Sequence, residues 1–67
     1  MSLLNIRIKE LRSEKNLSTK ELAEIFKVSS RTVQRWESGE RIPPIDTIME
    51  IAKFFEETTD YLLGMED

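Results

Sequence analysis

Only three residues, Lys27-Val28-Ser29, separate two segments that each carry the signals of a short helix, and so short a link forces the helices to touch and cross steeply. Upstream, Ser18-Thr-Lys-Glu21 has the capping-box pattern, in which the serine oxygen takes one orphan backbone N–H and the glutamate reaches back to another. Leu17 and Leu22 hold the two staple positions around it, and a helix is expected from about Thr19 to Phe26. Downstream, Ser29 is placed to cap a helix from Ser30 to Ser38, which Gly39 closes. Leu22, Phe26, Val28, Val33 and Trp36 are the apolar positions of this pair, and Ala23 stands where a larger side chain would hold the helices apart. A small residue in mid-helix and a hydrophobe inside the turn form the steric signature of a helix-turn-helix, here about residues 19–38. A helical hairpin of any function shares part of this pattern, so the outward face must decide what the pair does.

Elsewhere the chain also favours helices, with 34 % charged residues, two glycines and two prolines in 67 residues. Leu4, Ile8 and Leu11 form an amphipathic stripe that should end near Lys15-Asn16, since asparagine tolerates the left-handed C-terminal position. Arg41-Ile42-Pro43-Pro44 interrupts the helical pattern. After it, Ile45, Ile48, Ile51, Ala52 and Phe55 share one stripe of a fourth helix running to about Glu57, with Asp46 at the favourable end of its dipole. Thr58 can cap a last short helix through Tyr61-Leu62-Leu63, stopped by Gly64. The expectation is an all-α chain, residues 1–67 forming a single domain.

Composition then removes whole classes of chemistry. Without cysteine there is no disulfide framework or thiolate zinc site, and without histidine the commonest general base and the usual ligands of catalytic zinc are missing. We therefore expect no enzyme, no metal and no cofactor. Carboxylate pairs such as Glu56-Glu57 look like a solvated helix end. No apolar run reaches the roughly 20 residues of a membrane span, and the start of the chain lacks the features of a signal peptide, so a cytoplasmic protein without membrane contact is expected.

Successive helical residues lie about 100° apart, which turns Val33 and Trp36 inward and gathers Arg31, Gln34, Arg35 and Ser38 on the opposite side of the third helix. Ser30 projects from its first turn. Arginine and glutamine forks read base edges, and serine hydroxyls suit phosphates or bases. A solvated face would mix signs, whereas this one has two arginines and no acid. Trp36 is expected in the core rather than as a stacking platform, and Phe54, Phe55 and Tyr61 are also expected to pack. Exposure of Phe54 or Leu63 would mark a dimer interface.

From Ile8 to Gly64 the chain resembles the phage repressor and Cro-like helix-turn-helix regulators, the XRE family. The resemblance rests on Ile8-Lys-Glu-Leu-Arg12, Leu17-Ser-Thr-Lys-Glu-Leu-Ala23, Val28-Ser, Trp36-Glu-Ser-Gly-Glu-Arg-Ile-Pro43 and Asp60-Tyr-Leu-Leu-Gly64. It implies a compact, lambda-repressor-like bundle of five helices, whose third helix, about residues 30–38, enters the major groove while the second crosses the backbone. The implied function is sequence-specific double-stranded DNA binding by a bacterial or phage-encoded regulator, usually a repressor that binds an inverted repeat as a homodimer. When bound it would be associated with the nucleoid. The family's base-contacting positions fall on Ser30, Arg31, Thr32 and Arg35, and Gln34 joins them from the outward face. Its phosphate-contacting positions fall on Thr19 and Arg41, with Ser38 as a further backbone candidate. Arg12 and Glu37 match a structural ion pair tying the first helix to the third.

Thr19 stands where glutamine is more usual and is too short for some of the same contacts, and two other positions depart from the family pattern. Lys27 stands where glycine is usual, which requires either a positive φ at about 1 kcal/mol or a slightly opened turn. Pro44 leaves the fourth helix without a side-chain cap. A rival class is a protein-binding helical module, such as an antitoxin or regulatory subunit, but no partner-binding tail or effector segment is evident beyond the helices. The formal charge of −3 divides unevenly: residues 1–44 carry nine basic and six acidic side chains, and residues 45–67 one basic and seven acidic. The acidity thus belongs to the last two helices, away from the arginine face.

Overall fold

In the computed structural model, which describes residues 3–66, five helices follow one another and no strand occurs among the described residues. They are α1 (Leu4–Glu14), α2 (Thr19–Phe26), α3 (Ser30–Ser38), α4 (Ile45–Phe54) and α5 (Thr59–Leu62). The protein is an all-α bundle. α3 packs against both α1 and α2, and α5 joins α4 to α1. No helix of the described residues is long and apolar enough to cross a membrane.

Local signals set the helix ends. Ser18 Oγ accepts from the Glu21 N–H at 3.0 Å and Glu21 Oε1 accepts from the Ser18 N–H at 2.8 Å, a complete capping box. Ser29 and Thr58 cap α3 and α5 through the N–H groups of Thr32 and Tyr61. Pro44 has no such side chain, and α4 starts uncapped. At the other ends, one closure recurs. Asn16, Lys27, Glu56 and Gly64 each take a positive φ, and the next residue's N–H returns to the carbonyl five positions back: Leu17 to Arg12, Val28 to Ala23, Glu57 to Ala52, Met65 to Asp60. This is the Schellman arrangement, which satisfies carbonyls the helix leaves unpaired. It resolves the alternative at Lys27: φ is 58°, and the turn does not open. It also ends α4 at Phe54, three residues before the expected Glu57, because the left-handed Glu56 cannot continue a right-handed helix.

The core draws on every helix: Leu4, Ile8 and Leu11, then Leu22 and Ala23, Val33 and Trp36, Ile48, Ile51 and Ala52, and finally Phe55 and Leu62. Leu17, Phe26, Val28, Phe54, Tyr61 and Leu63 pack against it while partly exposed. Ile45 corrects the expected α4 stripe. It has the right angle but is 61 % exposed, because it occupies the first helical position, beyond the elements that cover Ile48 and Ile51. Phe54 and Leu63 are likewise not the free apolar surface. Phe54 meets the rings of Phe26 and Phe55 edge-on, with centroids 5.7 and 4.9 Å apart. The exposed hydrophobes in this half are instead Ile42, Ile45, Met49 and Met65.

Two arginines bind the bundle across long sequence separations. Arg7 donates to the carbonyls of Tyr61 and Glu66 and lies 4.1 Å over the Tyr61 ring, which fixes α1 to α5. Arg12 does the same for α1 and α3, and its geometry bears on the site.

Candidate nucleic-acid interface

α3 can present one face only because the other is anchored. Val33 is fully buried and Trp36 is 3 % exposed, so neither rotation nor sliding of the helix is free. This also places the Trp36 ring in the core, with no surface for stacking. Beside them, Arg12 Nε and Nη2 donate to Glu37 Oε2 and Oε1 at 2.6 and 3.1 Å, a bidentate pair whose side chains are 15 % and 8 % exposed. Arg12 Nη1 also donates to the Leu17 carbonyl at 2.7 Å. One guanidinium therefore joins α1, the link into α2 and the last turn of α3. Hydrogen bonding to Glu37 raises the Arg12 pKa above its ordinary value, against the opposing effect of burial, and the Glu37 charge adds to the rise.

On the outer side, Arg31, Gln34, Arg35 and Ser38 come together along a shallow, open depression. Arg31, Gln34 and Ser38 are exposed and Arg35 is half-buried. Ser38 also borders a neighbouring groove beside Trp36, Gly39, Arg41 and Ile42, so Arg41 flanks the depression from beyond the helix end. Ser30, Thr32 and Thr19 do not line the depression; they lie at the starts of α3 and α2 and are each half-buried. The Thr32 hydroxyl is engaged with Ser29 Oγ at 2.9 Å as part of the α3 cap. A base contact by Thr32 must therefore share that hydroxyl or use its methyl group.

One residue of this surface escaped the sequence-based expectation. Glu40 borders the same depression and pairs with Arg35, Oε2 to Nε, at 3.2 Å. The face is therefore not free of acid. A helical wheel ends at Ser38, and only the turn at Gly39, with φ of 84°, brings Glu40 back beside the helix.

The sequence profile of the helix-turn-helix family matches residues 8–62, which spans all of α2 and α3 and most of α1. The chain belongs to the XRE-type helix-turn-helix family. Among relatives, it is 40 % identical over 63 residues to the HTH-type transcriptional activator BcrR of Enterococcus faecalis, covering 94 % of this chain and 31 % of that protein. It is 37 % identical over 60 residues to the HTH-type transcriptional regulator AnsR of Bacillus subtilis, covering 90 % of this chain and 52 % of the relative. The chain thus spans from about a third to half the length of these helix-turn-helix proteins. Its fold is that of the P22 c2 repressor protein, solved in complex with a synthetic operator, with a TM-score of 0.87 and 24 % identity over 98 % of this chain and all of the repressor chain.

Proposed function

We propose that this protein is a sequence-specific, double-stranded DNA-binding transcriptional regulator that acts by occupancy and performs no catalysis. The observation that carries this is the convergence of Arg31, Gln34, Arg35 and Ser38 on the exposed face of a helix whose opposite face is locked by Val33 and Trp36. An α-helix of about 10–12 Å diameter fits the major groove, and arginine forks pair best with guanine O6 and N7. Arg31, Gln34 and Arg35 are assigned to base edges, with Ser30 and Thr32 at the leading end of the helix. Thr19, Ser38 and Arg41 are assigned to phosphates, and Arg12 with Glu37 to holding α3 in place. The names of the relatives, a transcriptional activator and a regulator, and the operator-bound repressor of the same fold point in the same direction.

Two copies are needed for a full site. The longest extent of the bundle is 28 Å, less than the roughly 34 Å that separates successive major grooves on one side of a duplex. Ile45 and Met49, four residues apart on one side of α4, and Ile42 supply exposed apolar surface for pairing. The operator is accordingly an inverted repeat, and the setting is the bacterial or phage-infected cytoplasm. Repression follows most directly, since blocking polymerase requires only that the site be filled.

Selection of bound sequences from a random duplex pool, at a stated salt concentration, tests the proposal. A symmetric motif with guanines in each half-site is the expected result. Arg31→Ala and Arg35→Ala should each weaken binding to that motif by about 1–3 kcal/mol and relax preference at one position. Unchanged binding by both variants would remove α3 as the reading helix.

A further inference from the structure

We infer that Glu40 is a positioning residue for Arg35 that suppresses binding to the wrong sequence. This rests on α3 being the DNA-reading helix. Among the described residues, Glu40 is the side chain paired with the Arg35 guanidinium, and both border the depression that also contains Arg31, Gln34 and Ser38. The carboxylate is not a loose end of the loop. Its backbone N–H donates to Ser38 Oγ at 3.3 Å, Ser38 Oγ donates to the Arg35 carbonyl at 3.1 Å, and the Arg41 N–H donates to that same carbonyl at 3.1 Å. The turn carrying Glu40 is therefore anchored to the residue whose side chain it pairs with.

The contact is on the Nε side of the guanidinium, which leaves the Nη1 and Nη2 edge for an acceptor pair. A guanine offers such a pair through O6 and N7, and it can take that edge while Glu40 keeps Nε. An unmatched base offers no comparable acceptor pair, whereas a phosphate can present two oxygens to the same edge and is disfavoured by charge alone. To attract Arg35, a phosphate must compete with a carboxylate already beside it, and the carboxylate repels the phosphate in turn. Glu40 therefore subtracts from binding to any sequence and subtracts least where a guanine stands opposite Arg35. The same carboxylate could accept from cytosine N4, but that contact would require it to leave Arg35.

Glu40→Gln keeps the shape and removes the charge, and at 66 % side-chain exposure it should leave the unfolding transition unchanged. The test compares parent and variant on the selected duplex, on the same duplex with the guanine opposite Arg35 replaced, and on an unrelated duplex of equal length, across a salt series. Affinity for the replaced and unrelated duplexes should rise about 2- to 5-fold, the scale of one exposed charge pair, with a smaller change on the selected duplex. In an Arg35→Ala background the charge removal should no longer alter preference at that base pair. Equal gains on all three duplexes, or an effect on base preference that survives Arg35→Ala, would overturn the inference and leave Glu40 as general surface charge. A parent protein that discriminates among no duplexes would defeat the DNA-reading assignment itself, and this inference with it.

Discussion

Arg12 carries more of this structure than its exposed-looking sequence context suggests. Three of its five donors are engaged, two by Glu37 and one by the Leu17 carbonyl. Arg12→Ala would leave the Glu37 carboxylate nearly buried without its partner, and we expect a loss of about 2–4 kcal/mol in urea unfolding. The pH dependence has a definite sign. A basic group whose pKa is raised by folding stabilises at every pH below its unfolded value, so the Arg12 contribution is constant through the neutral range and falls only in strong alkali. The pairing partner came from the family resemblance, and the position of Glu37 beside Val33 on the helical wheel agrees with it. The Leu17 carbonyl was not, because backbone acceptors leave no mark in a residue pattern. Glu40 is the reverse case: its charge was visible, but its placement beside Arg35 needed the turn at Gly39.

At the scale of elements, helix starts were easier to read than helix ends. Ser18, Ser29 and Thr58 accept hydrogen bonds through their own side chains, so the residue type announces the cap. Ends are made by backbone geometry, and three of the left-handed closures use Asn16, Lys27 and Glu56, only the first of which is a residue type that favours the conformation. That is why α4 was expected to extend to Glu57. Lys27 offers a direct test, since its side chain is exposed and its φ of 58° is costly for any residue with a Cβ. We expect Lys27→Gly to stabilise the fold by about 0.5–1 kcal/mol, the relief of left-handed strain minus the greater freedom of glycine in the unfolded chain. A shift of the thermal midpoint upward, with DNA affinity unchanged, would be the sign of it. A drop in the midpoint would mean that the Lys27 side chain contributes more than its exposure implies.

At the scale of the whole molecule, charge is segregated. The basic excess lies in residues 1–44 and the acidic excess in residues 45–67, so the net charge of −3 does not describe the face that α3 presents. Non-specific attraction to DNA should be weak, and a few directed contacts should carry the salt dependence. Arg41, exposed beyond the end of α3, is assigned one of them. Arg41→Ala should weaken binding to every sequence by a similar factor and flatten the slope of log K against log salt by about one. An unchanged slope would take Arg41 off the phosphate contacts.

The amino-acid order by itself determined the helical segments, the inward stripes of α1 and α3 and the outward set Arg31, Gln34, Arg35 and Ser38. These depend on spacing along one helix, and helical periodicity converts spacing directly into direction. Only tertiary structure decided that Ile45 stays exposed, that Phe54 packs between Phe26 and Phe55, and that Glu40 closes on Arg35. Each of these turns on where a helix stops or what lies opposite it in space. Neither follows from the periodicity of a single segment.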